Sequence, residues 1–284
     1  MALFLLRYAE MGLKSEKVRR RFQQSLIENI ENHFLSVGRE CIVSWDRGRI
    51  FVMTDDAAAG REVASHTFGI VSFSEAVEAP AALDELLRSV VAFAKGVLRE
   101  GISFAIRARR SGQQKYTSME LAGRAGEAVL QSMPGLRVDL TGPDAEIFIE
   151  ARERGAYIYS EVETGPGGLP MGTQGSILCP VYGQRDILAA WLMMRRGCTV
   201  IVAADDRSAV EPLFRWYPGL KTIPLPHEGG MTERAIALGC RGIAYPLALP
   251  EIAGRSWPKS GLALFFPLTG LTGAELERLY SRLL

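Results

Sequence analysis

The sequence predicts an α+β N-terminal part followed by a small α/β domain with a parallel sheet. Three observations lead to this fold class. The chain has 284 residues, more than a single domain of roughly 100 to 200 residues accounts for. Residues 165–175 hold five glycines and two prolines, a composition that sustains neither helix nor strand and is typical of a connection between domains. After this connection, a strand, a helix and a strand follow with short joints, which is typical of parallel α/β structure.

The first unit is predicted to contain four strands and two helices. Leu3–Tyr8 has the composition of a buried strand, and Glu16–Leu35 carries an apolar residue at every fourth position from Val18 to Phe34, the spacing of one helix face. The remaining elements are short strands at Cys41–Trp45 and Arg49–Thr54, a helix near Asp56–His66 and a strand near Gly69–Ser74.

The second unit begins after Ala79-Pro80, where the pattern restarts. Thr117 and Glu120 have the spacing of a capping box and predict the start of a helix that ends before Pro134. The other predicted elements are a helix near Leu83–Leu98, a strand at Ser103–Ala108, and a hairpin of two strands at Glu146–Glu150 and Tyr157–Val162.

The third unit supplies the predicted parallel sheet. Its strands are expected at Ser176–Val181 and Thr199–Ala204, joined by a helix from about Ile187 to Arg196 that Gly197 ends. The domain boundaries that follow are 1–78, 79–172 and 173–284.

Composition excludes several classes of protein. With 48% hydrophobic and 23% charged residues, the chain is neither disordered nor disulfide-dense. Its longest apolar runs, such as Ala189–Met194 and Leu262–Leu268, are far shorter than the ~20 residues of a membrane-spanning helix. Its four cysteines are scattered without a C-x-x-C pair, so we expect buried thiols in a cytoplasmic protein and no metal site.

A local excess of positive charge is the first candidate site. The net charge is only +1, yet no acidic residue lies between Gly101 and Met119. A strand places Arg107 and Arg109 on one face, which suits a surface that binds successive phosphates. A solvated edge strand is the alternative, and composition does not choose between them. The four cations of the segment are Arg107, Arg109, Arg110 and Lys115, the last two expected in a polar loop.

A second cluster of cations opens the first long helix. Glu10, Glu16 and Glu28 lie nearby and can screen these charges, so a solvated helix face is the stronger interpretation for this cluster. Its members are Lys14, Lys17, Arg19, Arg20 and Arg21.

The loop after the first strand of the α/β unit is where such folds bind phosphate. It has one glycine and no Ser, Thr or Lys, so it offers neither a glycine nest nor a hydroxyl for magnesium. On the residues alone it is a structural turn. The loop consists of Val181, Tyr182, Gly183, Gln184, Arg185 and Asp186.

Two other kinds of catalytic site receive little support. Asp205 and Asp206 follow a strand and could ligate magnesium, but acids at this position more often cap the next helix. The chain has no G-x-S-x-G motif, and no cysteine lies beside a histidine or a run of cations.

Several strings, in their order and spacing, resemble the tRNA 4-thiouridine synthetases, or tRNA sulfurtransferases. They are Tyr8–Lys14, Phe68–Ser74, Ser103–Arg110 and Gly168–Gly175. The resemblance covers nearly the whole chain. It implies a ferredoxin-like domain, a THUMP domain that binds tRNA near its 3′ end, and a PP-loop domain that adenylates the target uridine with ATP.

The chain departs from that family where the chemistry would occur. Residues 181–186 align with the family's phosphate-binding S-G-G-x-D-S, of which only Gly183 remains, and Arg185 stands at the acidic position. Pro267–Gly273 resembles the family's P-L-x-G-L-D-K, with Thr272 and Gly273 in place of its Asp and Lys. The family's catalytic cysteine lies beyond that motif, and the sequence ends eleven residues after Gly273.

The resemblance and these departures together predict a non-catalytic RNA-binding protein with a degenerate PP-loop-like domain and no cofactor. The expected partner is tRNA or another structured RNA, with a separate tRNA-modifying enzyme as a second candidate, and neither DNA nor membrane. Two alternatives stay open. One is an active ATP-dependent tRNA sulfurtransferase with a divergent site, and the other is a regulator that binds a small nucleotide through the α/β domain alone.

Overall fold

The computed structural model describes residues 1–8, 15–46, 48–226, 230–253, 255–257 and 260–284. In the first unit the strands lie in the order β2-β3-β1-β4 and pair antiparallel, with both helices over one face of the sheet. Phe22, Leu26 and Ile30 are buried along one side of the first helix, as the repeat of four predicts. The elements are β1 (Ala2–Tyr8), α1 (Glu16–Ser36), β2 (Ile42–Asp46), β3 (Arg49–Thr54), α2 (Ala57–His66) and β4 (Ile70–Ala79).

The second unit continues the same sheet. The expected capping box is present, because the Thr117 hydroxyl accepts from the Glu120 amide and the Glu120 carboxylate accepts from the Thr117 amide. The predicted hairpin of β7 and β8 is confirmed, and β5 pairs parallel with β7. The elements are α3 (Leu83–Val97), β5 (Ser103–Ser111), α4 (Ser118–Ser132), β6 (Arg137–Val138), β7 (Ala145–Arg152), β8 (Ala156–Tyr159) and β9 (Glu163–Thr164).

Strand β4 belongs to both units. Its first half pairs with β1 and β9 and its second half with β8. The described strands of the first two units therefore form one nine-stranded sheet. The sheet faces away from the helices also meet, since Leu5 and Phe51 of the first unit are buried with Tyr159 of the second. The Phe51 and Tyr157 rings stack at 4.5 Å between centroids. The two halves of this one sheet therefore pack against each other through the faces that carry no helix.

The third unit has a five-stranded parallel sheet in the order β12-β11-β10-β13-β14. Its strands are β10 (Ser176–Pro180), β11 (Thr199–Ala203), β12 (Lys221–Ile223), β13 (Gly242–Ala244) and β14 (Ala263–Phe265). Its helices are α5 (Gln184–Arg195), α6 (Glu211–Phe214), α7 (Met231–Ala237), α8 (Leu249–Ile252) and α9 (Gly273–Leu283). Successive strands are added on one side of β10 as far as β12 and then on its other side from β13, which places a topological switch point at the carboxyl end of β10.

The glycine-rich connection contains no helix or strand within residues 165–175, as predicted, but it is packed tightly. Gly69 donates its amide to the Gly167 carbonyl at 2.8 Å. A Cβ at Gly165 would lie 2.3 Å from the Ile70 carbonyl oxygen, so only glycine fits there. The connection therefore lies directly against β4.

Phe68 fastens the first unit to the third. Its ring stacks on Trp216 at 5.2 Å and meets Trp191 edge-on at 5.7 Å, inside the core of the α/β unit. Aromatic contacts of this kind bury large apolar areas. The first and third units therefore share one core.

Several element boundaries differ from the sequence predictions. Strand β4 continues to Ala79, β8 ends at Tyr159, and α5 begins at Gln184, earlier than expected. Strand β5 continues to Ser111, so the prediction that Arg110 lies in a loop is wrong. The short strands β6 and β9 were not predicted, because two-residue segments have no readable periodicity.

The structure also bears on the excluded classes. No described helix is long and apolar enough to cross a membrane. The four cysteines are free thiols, three of them buried. The described residues contain no group of three or more His, Cys, Asp or Glu side chains placed to hold a metal ion.

Candidate nucleic-acid interface

Strand β5 carries the basic segment predicted from composition. Arg107 and Arg109 lie on the face opposite α3 and α4, while Ile106 packs into the core beneath those helices. Arg107 is not free, because its Nε donates to Glu146 Oε1 at 2.6 Å and its Nη2 to the Leu140 carbonyl at 2.9 Å. Arg107 is therefore neutralised by the protein itself.

The other cations of this segment are more available. Arg109 and Lys115 are exposed and make no hydrogen bond or ion pair with any described residue. Arg110 is exposed too, and its Nη1 donates to the Gln114 carbonyl at 2.9 Å, which shapes the loop before α4. Strand β6 pairs only with the first two residues of β5. The second half of β5, which carries Arg109 and Arg110, therefore has one edge that no described strand covers. Both the phosphate-binding and the solvated-edge interpretations fit that edge.

The cluster on α1 is partly screened, as the sequence suggested. Arg20 Nη2 lies 2.5 Å from Glu16 Oε1 on the preceding turn of α1, and Arg21 Nη2 donates to the Thr173 carbonyl at 3.3 Å. Lys17 and Arg19 are exposed without a partner among the described residues. Lys14 lies outside the described residues.

The structure brings the two basic clusters to one end of the sheet. Glu150 is the direct neighbour of Arg109 across the β5–β7 ladder, and its carboxylate pairs with Arg49 at 3.1 Å and Arg152 at 2.5 Å. Burial raises the pKa of Tyr8 at this end, and the nearby charges of Arg19, Arg49 and Arg152 oppose that rise. We call this region, with Lys17, Arg19, Arg109, Arg110 and Lys115 as its exposed cations, the basic end.

Sequence reasoning missed Trp45, which lies at the basic end. Trp45 faces the α1 side of β2, the side on which Val43 packs, and it is 59% exposed. Trp45 directly precedes Asp46, whose carboxylate accepts from Arg152 beneath the basic end, and an exposed aromatic ring together with exposed cations is the combination that proteins use to stack an unpaired base and hold its phosphate. The signal in the sequence was an aromatic residue at the end of a short strand, directly before the predicted Asp46-Arg47-Gly48 turn.

The loop at residues 181–186 is closed by its own side chains. Asp186 Oδ2 accepts from the backbone amides of Tyr182 at 2.7 Å and Gly183 at 2.8 Å. These amides lie where a phosphate would be received, at the end of β10 and the start of α5. Asp186 is buried, so a carboxylate already occupies the anion position.

Arg185 is held away from the loop centre. Its two terminal nitrogens pair with the Glu251 carboxylate on α8 at 2.9 and 3.2 Å. The hydrogen bonds from Arg185 and from the Ala248 amide lower the pKa of Glu251 to about 2. This bidentate ion pair joins α5 to α8 beside the loop.

The second departure from the family motif has a helix-capping role. The Thr272 hydroxyl accepts from the Glu275 amide at 3.3 Å, and the Glu275 carboxylate accepts from the Thr272 amide at 2.8 Å. Thr272 is thus the N-cap of α9 and Gly273 its first residue. Asp206 likewise caps a turn by accepting from the Ser208 amide at 2.8 Å, the capping role that the sequence favoured over magnesium binding.

Comparison with known families shows which class of protein combines these domains. Residues 3–74 match the ThiI ferredoxin-like domain, and residues 80–161 match the THUMP domain. The chain is therefore a protein with a ThiI ferredoxin-like domain followed by a THUMP domain and a parallel α/β domain, which confirms the predicted fold class.

The relatives named in this comparison are tRNA sulfurtransferases. A probable tRNA sulfurtransferase of Methanothermobacter thermautotrophicus is 40% identical over 212 residues, which is 72% of this chain and 53% of that protein. One from Methanosarcina acetivorans is 38% identical over 244 residues, 78% of this chain and 59% of that protein. The predicted resemblance is confirmed, and the chain spans little more than half the length of these relatives.

Solved structures agree on the fold. PH1313 from Pyrococcus horikoshii is 28% identical with a TM-score of 0.87, covering 100% of this chain and 99% of that one. A 4-thiouridine synthetase solved as an RNA complex with bound ATP is 20% identical with a TM-score of 0.78, covering 100% of this chain and 85% of that one. The arrangement of all three units therefore recurs in both structures.

Proposed function

We propose that this chain is a tRNA-binding protein of tRNA modification that recognises RNA through its first two domains. The observation that carries the proposal is the basic end, where exposed cations from the ferredoxin-like and THUMP domains converge around Glu150 and Arg152. RNA helices are recognised mainly by shape, phosphates and unpaired ends. A basic strand and loop surface with no base-reading helix suits that mode, and tRNA offers both a helix and an unpaired 3′ end.

We further propose that the α/β domain does not adenylate RNA. The support is the closed loop, in which the Asp186 carboxylate takes the amides of Tyr182 and Gly183 and Arg185 is committed to Glu251. Bringing a triphosphate beside a buried carboxylate costs on the order of several kcal/mol in charge repulsion and desolvation. On this proposal the domain is a scaffold that presents bound tRNA to a separate modifying enzyme in the cytoplasm.

The second candidate is an ATP-dependent tRNA sulfurtransferase with a divergent site. The names of the relatives favour it over a non-catalytic protein, since those that match at 38–40% identity are called probable tRNA sulfurtransferases. On this alternative, α8 moves to release Arg185, whose guanidinium is a good bidentate ligand for phosphate.

One pair of measurements separates the two candidates. Calorimetry with MgATP is expected to give no binding, and incubation with tRNA, ATP and a sulfur donor no 4-thiouridine, while the same preparation binds tRNA in a filter assay. Formation of 4-thiouridine by the purified chain would establish the second candidate. Failure to bind tRNA would reject the first.

A further inference from the structure

Three arginines converge at the C-terminal end of α5, far in sequence from both basic clusters. Arg195 is the last residue of α5, Arg196 is its C-cap, and Arg282 lies in the last turn of α9. Arg282 Nη2 donates to the Gly165 carbonyl at 2.8 Å. None of the three forms an ion pair with an acidic side chain in the described part of the chain.

The glycine-rich connection fixes Arg195 in place. Leu169 donates its amide to the Arg195 carbonyl at 3.0 Å. Gly168 has φ +75°, and a Cβ there would lie 2.2 Å from that same carbonyl oxygen. The Arg195 guanidinium lies over the Trp191 ring, 5.8 Å from its centroid. The backbone of the connection therefore holds this arginine where it is.

A cavity of about 440 Å³ opens beside these arginines. Arg195 and Arg196 line it together with the rings of Phe265 and Phe266, and no acidic side chain does. The Phe265 ring fits because Gly242 has no side chain, since a Cβ there would lie 2.6 Å from the ring. The result is a concave site with cationic and aromatic walls.

The electrostatics of the cluster are unbalanced. Burial lowers the pKa of Arg282, and the charge of Arg195 lowers it further. Positive charge in the last turn of a helix is favourable by itself, which accounts for each arginine singly. It does not account for the approach of two helix ends to each other beside the cavity, where the like charges of Arg195 and Arg282 repel. A bound anion would remove that repulsion.

We propose that this cavity binds phosphate groups of an RNA backbone, so that the RNA contacts the third domain as well as the basic end. The proposal rests on the proposed function of tRNA binding. Guanidinium groups bind phosphate oxygens in pairs, which three clustered arginines and no acid would favour. An RNA backbone and free inorganic phosphate would both offer the same phosphate group to this site, and the experiment below distinguishes them.

The test compares two double variants in tRNA filter binding between low and high salt. R196S with R282S removes one cation that lines the cavity and one that lies close to Arg195 beside it, and K221S with R234S removes two exposed cations elsewhere in the same domain. Each lost phosphate contact lowers the slope of log affinity against log salt by about 0.7 to 0.9. We expect the slope to fall by up to about 2 in the cavity variant and to stay unchanged in the control.

A second variant and a second ligand keep the outcome clear. R196E reverses an exposed charge outside the core, so it tests the site even if R282S fails to fold, and its affinity should fall more than that of R234E. Inorganic phosphate is titrated into the wild type by calorimetry. Phosphate binding with an unchanged RNA slope would overturn the proposal in favour of a free-anion site. Equal slopes in all folded variants would overturn it too, while the tRNA-binding function stands if the wild type still binds. A wild type that bound no tRNA would overturn both.

Discussion

The Arg152 guanidinium on β7 donates from Nε to the Asp46 carboxylate on β2, 3.0 Å away, across 106 residues of sequence. Its Nη2 also donates to the Asp46 carbonyl at 2.9 Å, and its Nη1 to Glu150 at 2.5 Å. Arg152 and Glu150 are each only 3% exposed. A buried charge network therefore joins the ferredoxin-like and THUMP domains directly beneath the basic end.

Loss of Arg152 is predicted to destabilise the protein strongly. Removing Arg152 leaves the buried Glu150 carboxylate with Arg49 as its remaining ion-pair partner among the described residues and takes the arginine partner from Asp46, and breaking a buried ion pair costs about 3 to 5 kcal/mol. R152A should lower the free energy of unfolding in urea by about that amount. The exposed Arg137, which lies 4.0 Å from Asp144, provides the control, and R137A should change it by less than about 0.5 kcal/mol. Equal effects of the two substitutions would mean that the network adds nothing to stability.

Much of the fold could be predicted because it depends on local patterns. The repeat of four in α1 and the capping box of Thr117 are legible within a few residues, and both are present. The network of Arg152 and Asp46 was not predictable, because nothing in a single sequence pairs a charge on β2 with one on β7. The same limit concealed the convergence of the two basic clusters and the contact between Arg185 and Glu251.

The basic end is predicted to contact tRNA phosphates through Arg109 and Lys115. R109S with K115S should weaken tRNA binding and lower the salt slope by up to about 2, because both side chains are exposed and unpaired among the described residues. K95S with R99S removes equal charge near the far end of α3 and should leave the slope unchanged. A slope unaltered in the folded R109S/K115S variant would remove this surface from the RNA site.

Trp45 is predicted to stack on an unpaired base. Stacking on an aromatic side chain contributes about 1 to 3 kcal/mol per base, so W45A should reduce tRNA affinity by at least fivefold while W45F retains most of it. The salt slope should not change, because no cation is lost. Filter binding with intact tRNA and with a blunt RNA duplex provides the measurement, and an equal loss on both would argue against a base contact.

His33 is predicted to make stability depend on pH. Burial lowers the pKa of His33 to about 4, with the charge of His66 acting in the same direction, against an ordinary value of 6.5. The unfolded chain therefore binds a proton that the folded chain refuses, and stability present above pH 6.5 is lost as the pH falls to about 4. This loss amounts to about 3 kcal/mol.

The measurement for His33 is urea unfolding at several pH values in that window. H33Q cannot titrate at this position and should show a shallower dependence, while His66, whose pKa partial burial also lowers, is present in both proteins. Parallel curves for the two proteins would exclude His33 as the source.

Restoring the family loop is predicted to restore ATP binding only if Asp186 is also replaced. V181S, Y182G and R185D together recover the serine, glycine and acid of S-G-G-x-D-S, but the Asp186 carboxylate still accepts both loop amides, at 2.7 and 2.8 Å. A phosphate cannot displace it without placing two anions on one pair of donors. Adding D186S removes this carboxylate, which frees both amides and completes the family loop. Calorimetry should therefore detect MgATP binding by the quadruple variant and not by the triple variant. ATP binding by the triple variant would show that Asp186 does not close the site.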